Sequence, residues 1–150
     1  MSTTSTALVW IDDKALPPEV VPLLTSAYVD DSQRLPDMFS LRFRDPGRIV
    51  LAKTNAKVGG KVKVSVMTAT ASAPEPLIEG EITALEAEFD AGGTFTVIRG
   101  YDQAHRLFRG RRTASYVQMT ASDIATKVAQ RAGLKAVSYT HLTLPTILLV

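Results

Sequence analysis

Seven consecutive residues, Met38-Phe39-Ser40-Leu41-Arg42-Phe43-Arg44, alternate apolar and polar side chains with little interruption. An extended strand turns successive side chains to opposite faces, so Phe39, Leu41 and Phe43 share one face while Ser40, Arg42 and Arg44 share the other. A helical winding of the same residues would mix the two sets. Residues 61–67 repeat the pattern, with Val62, Val64 and Val66 opposite Lys61, Lys63 and Ser65. Residues 7–11, 26–31, 94–100 and 112–117 follow with less contrast. Residues 81–89 read as strand, although Ile82, Leu85 and Phe89 also fit a helical stripe. The pattern predicts six or seven short strands of an antiparallel sheet, one face on a core and one in water.

The punctuation between these segments agrees. Asp45-Pro46-Gly47-Arg48 predicts a type II turn, with proline fixing φ at its second position and glycine supplying a positive φ at its third. Gly59-Gly60 and Asp90-Ala91-Gly92-Gly93 break the chain before two strands, and residues 70–76 read as a polar loop. Pro17, Pro18 and Pro22 leave room for one short helical turn in residues 17–24. A single helix is specified near the C-terminus. Thr120 and Asp123 form an acidic capping box, Ile124, Val128 and Ala132 line one face, and Gly133 terminates it. The expected fold is α+β, mainly β: an antiparallel, barrel-like domain with one amphipathic helix near its C-terminus.

The chain of 150 residues contains no cysteine, which removes disulfides, thiolate metal sites and cysteine nucleophiles. Its opening residues lack a basic n-region, and the uncharged run 136–150 is shorter than a membrane span and interrupted by Pro145. A soluble chain, cytoplasmic on synthesis, is expected. Asp12-Asp13 and Asp30-Asp31 are sequence neighbours at strand ends, where side chains diverge, and read as solvated termini. With two histidines and no metal-binding, phosphate-binding or nucleophile motif, the expectation is a protein with no catalytic, metal or cofactor site and no small-molecule substrate.

The segment from Arg99 to Tyr116 is the exception to this plainness. Residues 99–112 hold Arg99, Arg106, Arg109, Arg111 and Arg112 against Asp102, concentrating the positive charge of a chain whose net charge is only +2. A helical turn over 102–108 would set Asp102 and Arg106 on one surface and Tyr101, Ala104 and Phe108 on the apolar side. His105 would then lie beside Arg106 and Arg109, in a cationic setting with no nucleophile to activate. Arg106, Arg109, Arg111 and Arg112, with Tyr101, are the candidate residues for contact with another protein, since arginine pairs with carboxylates and stacks on aromatics. Nucleic-acid binding by the same arginines is the alternative.

Residues 34–46 (RLPDMFSLRFRDP), 80–89 (GEITALEAEF) and 97–134 together resemble the N-terminal part of the phage late control protein D and VgrG-like spike family. The most specific portion is GYDQAHRLFRGRRT, residues 100–113, followed by the TASDIA helix and AGL. The resemblance implies a β-barrel hub domain that assembles as a homotrimer, contacts tail-tube and spike or baseplate proteins, and has no catalytic residues. It implies a component of a phage tail, type VI secretion or extracellular injection machine, ending in a virion or particle. Family proteins are several times longer, so residues 1–136 are expected to be a truncated N-terminal hub domain. Residues 137–150 carry no aspartate, glutamate, lysine or arginine and resemble translated adapter sequence, so they are expected to be non-native.

Overall fold

The computed structural model describes residues 5–137, so nearly all of the expected non-native tail lies outside the described residues. The chain divides after His105 into two compact units.

The first unit is one seven-stranded antiparallel sheet. Its strands are β1 (Ser5–Ile11), β2 (Lys14–Ala15), β3 (Leu24–Asp30), β4 (Met38–Arg44), β5 (Lys61–Thr68), β6 (Glu75–Asp90) and β7 (Gly93–Asp102). They pair in the order β2-β1-β5-β6-β7-β4-β3. The mainly β, antiparallel expectation holds, and residues 81–89 belong to the long strand β6. The sheet is nevertheless open rather than a closed barrel. β1 and β3 line a common cavity of about 440 Å³ with no ladder between them. The proline-bearing connection from Leu16 to Leu23, with its 3₁₀ turn at Val21–Leu23, joins the two ends of the sheet there.

Alternation translates directly into burial on β4. Phe39, Leu41 and Phe43 are buried, Ser40 and Arg42 are half-buried, and Arg44 is exposed. Val62 and Val64 of β5, Ile82 of β6 and Ile98 of β7 join them in the core. The pattern fails at Ser65, which is buried while Val66 is not. The β5–β6 pairing shifts register at that point, where β6 carries one extra residue, Leu77, between the partners of Val64 and Ser65.

β7 is buried on both faces from Phe95 to Ile98. Its outer face is covered by charged neighbours. The Arg42 guanidinium lies 3.5 Å from the centre of the Phe95 ring, and its nitrogens donate to Glu88 (3.0 Å) and Asp90 (2.9 Å). Arg99 reaches Glu86 at 3.4 Å. These side chains act as a lid whose apolar stems shield the strand beneath.

The β6–β7 approach depends on one glycine. A Cβ at Gly100 would collide with the Glu81 carbonyl oxygen and sit 2.5 Å from the Phe39 ring. A register shift between Ile82 and Ala84 lies directly opposite.

The turn at residues 45–48 differs from expectation. The Arg48 N–H donates to the Asp45 carbonyl (3.1 Å), but the positive φ falls on Arg48 (53°) and not on Gly47, so the turn is not type II. The reason is the Asp45 side chain, buried to 1% exposure. It accepts from the Ile49 N–H (2.8 Å), the Val50 N–H (3.1 Å) and the Thr96 hydroxyl (2.9 Å). Those bonds start α1 (Val50–Thr54), a short helix with no counterpart among the sequence expectations, which ends on Asn55 in the left-handed region.

The second unit contains α2 (Ala121–Arg131). Both ends follow the sequence reading. Thr120 and Asp123 exchange capping hydrogen bonds, and Gly133 (φ 68°) closes a Schellman motif. Its bonds run from the Leu134 N–H to the Ala129 carbonyl (2.8 Å) and from the Gly133 N–H to the Gln130 carbonyl (3.0 Å). The apolar stripe is not buried, however: Ile124 is half-buried and Val128 is 39% exposed. Residues 112–117, expected as a strand, are irregular. A strand needs a partner for its backbone groups, and the Tyr116 side chain there is engaged by α2 through Arg131.

Candidate functional site

Four of the five sequence-derived contact residues come together. Arg106, Arg109, Arg111 and Arg112 line one cavity of about 390 Å³ in the second unit, joined by Arg131 and Tyr116. Tyr101 belongs to the first unit, on β7, where it is 37% exposed and stacks on His105 with ring centres 6.3 Å apart.

Local structure fixes how the arginines are presented. Arg106 directs its guanidinium to the Ala132 and Gly133 carbonyls (3.4 and 3.3 Å) at the C-terminal end of α2. Those carbonyls carry the negative end of the helix dipole, so a cation is favoured there. Arg131, in the last turn of α2, donates to the Tyr116 hydroxyl (3.2 Å) and lies 5.8 Å from the centre of its ring. Arg109, Arg111 and Arg112 are exposed on the loop between the 3₁₀ turn and the helix. Among the described residues no carboxylate lines the cavity. The one acidic residue of the described part of this unit is Asp123. Hydrogen bonds from the Thr120 hydroxyl and N–H hold its carboxyl below the ordinary carboxylate range. It is spent on capping α2 and serves as no internal counter-charge to the cavity.

Arg131 and Tyr116 were absent from the sequence-derived set. Fifteen residues separate them, and only the fold of the 110–120 loop against α2 brings them together. Arg131 had one local sign, its place in the last helical turn.

The histidine differs from its expected setting. His105 is buried against Glu81, with Nε2 3.8 Å from Oε2 and both residues under a tenth exposed. The turn is a 3₁₀ helix, Gln103–Phe108. Its three-residue period lets Nδ1 bond the Asp102 carbonyl (2.5 Å), which orients the ring toward β6. Burial pushes the Asp102 carboxyl above its ordinary range, and the Ala104 N–H it accepts (3.0 Å) opposes that shift. Phe108, assigned to the apolar side, is 64% exposed where the chain leaves the turn. Among the described residues no group of three or more histidine, aspartate or glutamate side chains is arranged to hold a metal ion, and no helix is long and apolar enough to cross a membrane.

No family model and no curated protein sequence matches the chain. Solved structures do. The prophage MuSo2 43 kDa tail protein from Shewanella oneidensis superposes with a TM-score of 0.58 at 16% identity, over 87% of this chain and 38% of its own. The tail protein from Neisseria meningitidis MC58 gives a TM-score of 0.53 at 17% identity, over 85% of this chain and 34% of its own. The chain therefore shares a fold with these two tail proteins and spans between a third and two fifths of their length.

Proposed function

We propose that this chain is a structural part of a contractile tail-like machine: the N-terminal hub region of a baseplate-hub and spike protein of the late control protein D and VgrG-like kind. In this reading it acts without catalysis, assembles as a homotrimer, and joins the tail tube to the spike of a phage tail, type VI secretion or extracellular injection particle. The observation that carries the reading is the fold shared with two tail proteins over more than four fifths of the chain. The arginines beside α2 support it, because they gather several cationic side chains around one concavity. Assembly of this kind draws its stability from interfaces, so cationic docking groups matter more there than in the isolated fold.

The arginines provide the test. Reversing the charge of Arg106, Arg109, Arg111 and Arg112 together in the full-length parent is expected to abolish particle assembly, scored by electron microscopy of lysates. Because Arg106 also holds the α2 carbonyls, the Arg109/Arg111/Arg112 triple reversal serves as the companion variant. Normal particles from both variants would remove the arginines from the interface.

A further inference from the structure

Leu107 to Ser115 is a run of nine consecutive exposed residues, and from Gly110 to Val117 the chain takes no regular secondary structure. Across residues 110–119 no backbone–backbone hydrogen bond is made to any described residue. An endoprotease binds its substrate as an extended strand, through main-chain hydrogen bonds, so a backbone already released from such bonds enters the cleft without local unfolding. The surroundings are open too, since a Cβ at Gly110 would meet no atom within 4 Å. At the centre of the run stand Arg111 and Arg112, both exposed, and neither makes a hydrogen bond or ion pair with a described residue.

We propose that this loop is an endoproteolytic site, cut after Arg112 by a protease of the arginine-specific class. Such an enzyme holds a carboxylate in its specificity pocket, which the planar guanidinium fork of arginine pairs with. Water adds across the Arg112–Thr113 peptide bond, leaving a carboxylate on Arg112 and an amino group on Thr113. The other basic positions offer a poorer backbone. Arg42, Arg44, Lys61 and Lys63 lie in paired strands, and Lys127 and Arg131 lie in α2. The bends at Arg48 and Lys57 are closed by backbone bonds, from the Arg48 N–H to the Asp45 carbonyl (3.1 Å) and from the Gly60 N–H to the Lys57 carbonyl (2.9 Å). The cut has a defined consequence. The last strand ends at Asp102, so every strand stays on one product. The lining of the arginine concavity is divided, with Arg106 to Arg112 on one product and Tyr116, Val128 and Arg131 on the other. Cleavage thus dismantles the concavity and leaves the strands on a single piece. The inference does not depend on what the arginines contact. A particle that covers them spares the loop, and the cut then falls on unassembled chain.

Brief digestion of the folded full chain with a trace of trypsin, followed by intact mass spectrometry, tests the site. The first products are expected to end at Arg112 or Arg111, appearing roughly tenfold or more faster than any cut within residues 1–105. Arg111→Gln/Arg112→Gln should slow cleavage of the loop by a similar factor with an unchanged circular dichroism spectrum. Thr113→Pro should block the cut after Arg112 while both arginines remain. First cuts within residues 1–105, first cuts in or after α2, or a double variant cleaved in the loop as fast as wild type overturns the proposal. Digestion of particles containing the full-length parent separates it from the assembly reading. A loop cut equally fast in the free chain and in particles upholds the site and removes the arginines from the interface. A free chain that resists in the loop overturns the site and leaves the assembly reading standing.

Discussion

Replacing Asp45 with alanine is expected to lower the unfolding free energy of the chain by about 3 kcal/mol or more. The carboxylate is buried and accepts from two backbone N–H groups and the Thr96 hydroxyl. Removing it orphans three donors, two of them buried and the Ile49 N–H part-buried, and each buried unsatisfied group costs about 1–3 kcal/mol. The loss extends beyond the turn. Val50, whose N–H is one of the three, is itself a core residue, and Thr96 lies on β7 beside Phe43 of β4. Asp45→Asn keeps the volume and one acceptor, so it should fall between alanine and wild type. Urea unfolding checks both: the midpoint should move with the slope unchanged. A wild-type midpoint for the alanine variant would mean that these three donors find other acceptors.

A comparable loss, again about 3 kcal/mol, is expected from Gly100→Ala, for the opposite reason. Here nothing is removed. One methyl group is added where the Glu81 carbonyl and the Phe39 ring already occupy the space. The carbonyl belongs to β6, so relief requires the β6–β7 pair to separate, and these two strands form the centre of the sheet. Phe39→Leu/Gly100→Ala should recover little, since the smaller side chain relieves the ring and leaves the carbonyl contact. Full rescue by Phe39→Leu would show that the ring alone sets the requirement for glycine.

What was legible in the sequence follows from how local each cause is. β4 could be read residue by residue because one of its faces is buried and the other is not. The caps of α2 were legible for the same reason: Thr120, Asp123 and Gly133 act within a few residues of themselves. Other features depend on distant chain. The open edge between β1 and β3 follows from strand pairing, which alternation does not encode. Asp45 read as part of a turn because its bond to Thr96 spans 51 residues. Ser65 is buried beside a slip in pairing with β6, and residues 112–117 have alternation without a partner strand. His105 was placed among arginines by neighbours in sequence, while the 3₁₀ turn delivers it to Glu81, a residue 24 positions earlier.

The arginine cluster lies between these extremes. Its composition named Arg106, Arg109, Arg111 and Arg112, but the concavity required α2 to contribute Arg131 and the loop to contribute Tyr116. Sequence supplied the charge and tertiary structure supplied the shape. That division also separates Arg106, which closes the end of α2, from the exposed arginines of the loop.

The central claim is that this sheet-and-helix segment is a building block of a tail-like particle. Cryo-electron microscopy of particles purified from cells expressing the intact parent gene tests it directly. The account expects the parent protein in the particles, with this fold repeated around the axis where tube meets spike. Particles that assemble fully without the protein, or density for this fold away from that junction, would contradict it.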